Sequence, residues 1–191
     1  MTPDRPDFAL EEYRALRATI RERGTTRVVV MTITFVVWAG LALAAAALHV
    51  FPPLALVPLL ALAAGFEGVF ALHVGVERIG RYLQTRYETG EGLPAWEHTA
   101  MKLGAQRGSN PGIDPLFTWP FVLAAALNLL IAVVLQTYPG PLEPGTMMSF
   151  EGPPPASLAV FALIHAVFVS RVISARRFAR TQRERDLRLL A

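Results

Sequence analysis

The chain of 191 residues is 53% hydrophobic and only 17% charged, with a net charge of +3 and no cysteine. That composition excludes disulfides, thiolate metal sites and a cysteine nucleophile. It also excludes an ordinary soluble domain, because apolar runs at 28–50, 54–76, 117–137 and 156–175 each reach the ~20 residues that a ~30 Å hydrocarbon layer demands.

The N-terminal arm, 1–27, contains a predicted amphipathic helix at 7–22. Asp7 is placed to cap its free N–H groups, with Glu11 and Glu12 near its positive end. Tyr13, Leu16 and Ile20 share one face, and Arg14, Arg17 and Arg21 lie on another. Gly24-Thr25-Thr26 is expected to break the helix before the first span. Such an arm is expected to lie in the headgroup layer with its arginines toward phosphates, the alternative being that it packs on the protein's own cytoplasmic loop or on a partner. The first apolar run stands behind this charged arm and exceeds the length of a signal-peptide core, so it is expected to be a retained anchor.

Pro52 and Pro53 predict a tight hairpin between the first two spans. The second span is expected to continue past the bilayer through Glu77, Arg78 and Arg81 to about Tyr87, where Glu88-Thr-Gly stops it. A short interfacial helix is predicted at 94–103, with Trp96 as a headgroup-level anchor, and a turn-rich linker follows at 108–112. Trp119-Pro120 marks the inner edge of the third span. The connection 138–155, rich in proline with Gly140, Gly145 and Gly152, reads as irregular. The fourth span runs on as a basic helix through the tail, 176–191.

All eighteen Lys and Arg residues fall in the arm, in the middle loop with the helix end that feeds it, or in the tail and its approach. Connections 49–53 and 138–155 have none. Moving Arg or Lys across a membrane is costly, so this asymmetry predicts four spans in one membrane domain, 28–175, with both ends inside. Seventeen Arg against one Lys, with abundant Ala, Pro and Gly, suggests a GC-rich bacterial genome and hence a bacterial inner membrane. The basic excess is expected to meet anionic headgroups. Nucleic acid is the poorer reading, because an arginine run such as that of the tail is expected to be a solvated or headgroup-facing helix end.

Close helix contacts in lipid use small residues. In the second span Ala64, Gly68, Ala71 and Gly75 share one stripe, spaced i, i+4, i+7 and i+11. The stripe is expected to serve the internal bundle, or else to meet another copy or subunit. Gly40 and Ala44 in the first span, and Ala124, Asn128 and Ala132 in the third, offer comparable faces.

Glu67 is the costliest residue by position, a carboxylate placed near mid-depth of the second span. It is expected to be buried, with its pKa raised, and hydrogen-bonded to Asn128 or His165 at similar depth. The structural reading is a polar clasp, and the functional one is a proton or cation site. His73, Glu77, Arg78, Arg81, Glu97 and His98 form a second candidate, a polar cluster at the cytoplasmic face. There the default is a salt-bridge network tying loop to helix; a metal or a headgroup phosphate is the alternative. His49, His73, His98 and His165 fall at different depths, so a bis-histidine haem is not expected. No phosphate loop, His-Glu-x-x-His or hydrolase motif is present, and no catalytic residue, metal or cofactor is assigned.

The sequence therefore reads as an all-α integral membrane protein of four transmembrane helices in a compact bundle, N-in and C-in. The expected role is non-catalytic: a structural or accessory subunit of a larger membrane complex or homo-oligomer. The alternatives are an ion- or proton-coupled channel or transporter using Glu67, and a lipid-modifying enzyme built on His73, Glu77 and His98.

Overall fold

The computed structural model describes residues 5–47, 54, 56–88, 96–99, 116–137 and 155–190. Among them the secondary structure is helical. Four long helices follow in order: α1 (Arg5–Ala47), α2 (Leu56–Tyr87), α3 (Thr118–Thr137) and α4 (Pro155–Leu190). Three of them contain apolar stretches long enough to cross a membrane, within Asp7–Ala47, Leu56–Tyr87 and Ser157–Ala179; the described apolar part of α3, Thr118–Val134, is shorter. The expected hairpin prolines Pro52 and Pro53, the linker 108–112 and the connection 138–154 lie outside the described residues. Of the predicted helix 94–103, residues 96–99 are described, and they are helical.

One expectation fails at the start of the chain. α1 is continuous through Gly24-Thr25-Thr26 for 43 residues. The two threonines turn their hydroxyls back onto the helix, Thr25 donating to the Arg21 carbonyl at 3.2 Å and Thr26 to that of Glu22 at 2.9 Å. This local bonding satisfies the polar side chains without opening a turn, and a single helical glycine costs only ~1 kcal/mol.

Contacts group the residues into two units. One comprises Met1–Val29, Gly68–Leu116 and Ala175–Ala191, and the other Val30–Glu67 and Phe117–Ser174. The second unit has an aromatic core to which every helix contributes. Phe66 of α2 meets Phe121 of α3 at 5.2 Å between ring centroids and Phe168 of α4 at 6.3 Å, both edge-on. Phe35 of α1 completes the set at 5.0 Å from Phe121. Edge-to-face rings fill volume while matching the positive edge of one to the negative face of another. A separate apolar cluster joins Ala45, Ala132 and Phe161, with Leu56, Leu129 and Ile131 packed against it. By helical rise Ala132 stands ~16 Å along α3 from Phe121. The unit is inside-out for water: Val36, Leu43, Leu60, Leu123, Leu163 and Val167 are all exposed.

The buried stripe of α2 is not the one its small residues suggest. Leu62, Phe66, Val69 and His73 are buried, whereas Ala64 and Ala71 are exposed and Gly68 is half-buried. Both stripes have the same spacing, and they are displaced by two residues, ~200° around the helix. Large side chains therefore take the interior, and Ala64 and Ala71 face outward. Gly75 lies against the Arg23 guanidinium, and Gly40 of α1 has open space where a Cβ would go. In α3 the face with Ala124, Asn128 and Ala132 is buried along its length.

α1 and α2 approach closely at Gly65, where a Cβ would collide with the Thr34 side chain, including its Cβ at 2.6 Å. Thr34 cannot swing aside, since it is β-branched and its hydroxyl donates to the Val30 carbonyl at 2.7 Å. Gly65→Ala is therefore expected to destabilise the protein by about 1–3 kcal/mol, outweighing the ~1 kcal/mol gain in helix propensity. Thr34→Ala in the same chain should restore part of the loss, because two of the three colliding atoms disappear. Thermal unfolding of both variants in detergent measures this.

Candidate functional site

Two polar constellations hold the predicted residues. In the second unit, Asn128 and His165 are both buried and meet with Asn128 Nδ2 and His165 Nε2 3.1 Å apart. The geometry fixes the proton positions. His165 Nδ1 lies 2.7 Å from the Phe161 carbonyl, which can only accept, so Nδ1 donates. In the neutral ring Nε2 then accepts from the Asn128 amide, and Asn128 Oδ1 is left to accept from Trp38 Nε1 at 3.3 Å. A donor-to-acceptor chain thus runs Trp38, Asn128, His165, Phe161 across three helices. Trp38 was not anticipated from the sequence, although an indole N–H on a buried helix face needs an acceptor.

Glu67 does not join this chain, contrary to expectation. Its side chain is 49% exposed and ion-paired with Arg171 of α4, which is 41% exposed, at 2.8 Å. The cause is the stripe assignment: Phe66 occupies the interior, so its neighbour Glu67 lies ~100° away on the flank. Among the described residues Glu67 thus stands on the flank of α2 with Arg171, and not with Asn128 and His165.

In the first unit the arm of α1 docks on α2 and on the turn 96–99 through paired charges. Arg17 donates to Glu97 at 2.7 Å, and Arg81, which is 3% exposed, donates to Glu77 at 3.0 Å. Arg27 donates to His73 Nδ1 at 3.3 Å, so that nitrogen carries a lone pair. Glu12 accepts from Tyr82 at 3.0 Å and from Tyr87, while Tyr13 packs edge-on to Tyr87 at 5.6 Å. Among the expected cluster residues, His73, Glu77, Arg81 and Glu97 enter these contacts, His98 bonds to Glu88 instead, and Arg78 is exposed. The arm therefore packs on α2 and on residues 96–99 of its own protein.

Glu88 organises the turn 96–99. Its carboxylate accepts the backbone N–H groups of Glu97 and His98 at 3.0 and 3.1 Å and the His98 ring N–H at 3.1 Å. Those backbone donors open a helical turn and have no internal partner. Burial alone would raise the Glu88 pKa, but these hydrogen bonds and the nearby His98 outweigh it and hold the group below its ordinary value of 4.5. Glu97 shifts the other way, raised by burial against the pull of Arg17.

The depressed Glu88 pKa has a definite sign. Its stabilising contribution is present above the unfolded carboxylate value and is lost as pH falls through the lower folded value. Glu88→Gln should weaken docking of the turn by about 1 kcal/mol at neutral pH and flatten the acid limb of the stability profile below about pH 4.5. Hydrogen exchange at 96–99 against pH checks this.

Between these pairs lies a cavity of ≈ 80 Å³ lined by Ile20, Val76, Glu77, Gly80, Arg81, Gln84 and Glu97. Its polar walls and size suit water, and ligand pockets ordinarily run from ~300 Å³ upward. Among the described residues no three His, Asp or Glu side chains converge as metal ligands. The chain matches no known protein family, no curated protein and no solved structure.

Proposed function

We propose that the chain is a non-catalytic multi-pass membrane protein, a structural or accessory subunit of a larger membrane complex or of a homo-oligomer. In this reading four helices form the membrane bundle in a bacterial inner membrane, and the basic arm, middle loop and tail are cytoplasmic. The observation that carries it is the apolar exterior of the second unit. Val36 and Leu43 of α1, Leu60 of α2, Leu123 of α3 and Leu163 of α4 all point outward around a core of phenylalanines, which suits lipid and other apolar helices rather than water.

The polar groups support a structural role. Arg17, Glu77, Arg81, Glu88, Glu97 and His98 bond with one another or with backbone, and the cavity among them is water-sized. Anionic headgroups remain the natural ligands of the basic segments. An ion- or proton-coupled transporter would draw support from a secluded carboxylate, and Glu67 is half-exposed and ion-paired.

Native mass spectrometry after extraction in mild detergent, paired with flux through reconstituted liposomes, tests the reading. The expected result is the chain bound to further copies or other subunits, with no ion flux. A lone monomer that conducts ions would reverse the conclusion.

A further inference from the structure

A carboxylate and a guanidinium exposed side by side make a surface that complements itself. Glu67 and Arg171 stand on the seam of α2 and α4, 2.8 Å apart, and each is more than two-fifths exposed. Their neighbours on the same outward faces are apolar: Leu60 and Ala64 one or two turns from Glu67, and Ile164 and Val167 one or two turns from Arg171. An ion pair facing an apolar medium lacks the hydration that would hold it in water. Ala64 presents only a methyl group, which leaves room for another helix to come close.

We infer that this seam is the contact face of a symmetric dimer, in which each Glu67 also meets the Arg171 of a second copy. The inference rests on the proposed membrane role and names the partner that the role leaves open. The charges select a second copy over other chains. A two-fold axis through the seam sets acid against base twice, closing a neutral ring of four charges. Any other partner must carry its own complement in the same register. The apolar residues around the ring exclude competing polar solvent, and small Ala64 permits the approach.

Charge reversal in trans tests this without relying on the pair within one chain. Glu67→Arg and Arg171→Glu each place like charges at the dimer contact, so each variant alone should lose self-association by roughly tenfold or more. Co-expressed, the two variants should form a heterodimer. The arginine introduced at position 67 of one copy then faces the glutamate introduced at position 171 of the other, although both internal pairs are broken. Parent protein that stays monomeric, reversed variants that dimerise like the parent, or folded variants that fail to rescue each other would each overturn the inference.

Crosslinking of a single cysteine decides the matter if charge reversal prevents folding. In this cysteine-free chain, Ala64→Cys should give a disulfide-linked dimer when native membranes are treated with a membrane-permeant copper–phenanthroline oxidant, which takes up the two electrons, and Leu130→Cys on the exposed face of α3 should not. No dimer from Ala64→Cys defeats the inference. A crosslink from that position to a different protein also defeats it while leaving the accessory role standing.

Discussion

Phe66→Ala is expected to destabilise the protein by about 3 kcal/mol, the lower end for phenylalanine-to-alanine changes in protein cores. Phe66 is fully buried and touches rings from both α3 and α4. Truncation leaves a void that Phe121 and Phe168 cannot both fill, since each is held by its own helix. In water most of the cost would come from transfer of the side chain. In a lipid surrounding that share shrinks, and lost packing becomes the larger part. Phe66→Leu, which keeps most of the volume, should cost clearly less. Thermal unfolding in detergent measures both, and an alanine variant as stable as the parent would show that the aromatic cluster does not hold these helices together.

Asn128→Leu should be the next most damaging change, at about 2 kcal/mol. The leucine fits the volume but strands two groups at once, the partly buried Trp38 N–H and the buried His165 Nε2 lone pair. A double-mutant cycle with Trp38→Phe isolates their coupling, expected at roughly 0.6–1.7 kcal/mol, the range found for hydrogen bonds between membrane helices. His165→Gln should be milder than His165→Leu, because an amide still offers an acceptor to Asn128. Equal losses from glutamine and leucine at position 165 would indicate that shape, rather than the hydrogen-bond chain, governs this level of the structure.

The extent of the helices was legible because hydrophobic runs and their punctuation are local signals. α2 ends at Tyr87, immediately before Glu88-Thr-Gly. At Gly24 local reasoning misled, since threonine hydroxyls bonding back along the helix cancelled the expected break. The inward face of α2 was not legible from periodicity, because Ala64–Gly68–Ala71–Gly75 and Leu62–Phe66–Val69–His73 share one spacing. Choosing between them required knowing that Phe121 and Phe168 fill the neighbouring space. The same choice moved Glu67 from interior to flank. Its partner Arg171 went unrecognised because it is a member of the basic tail by charge and of α4 by structure. In the other candidate cluster Arg17 lies 80 residues from the Glu97 it holds, beyond any local signal, and Glu88 reads in the sequence only as the stop of α2, although it binds the turn that follows nine and ten residues later.

The most direct measurement of the central claim is thiol labelling from outside intact cells. The native chain has no cysteine, so single substitutions at Gly145, in the connection between the third and fourth apolar runs, and at Ser109, in the arginine-flanked middle loop, report topology without background. The account predicts that an impermeant thiol reagent labels Gly145→Cys in whole cells and reaches Ser109→Cys only after the membrane is opened. Labelling of Ser109→Cys but not Gly145→Cys in intact cells would contradict the four-span arrangement with both ends inside.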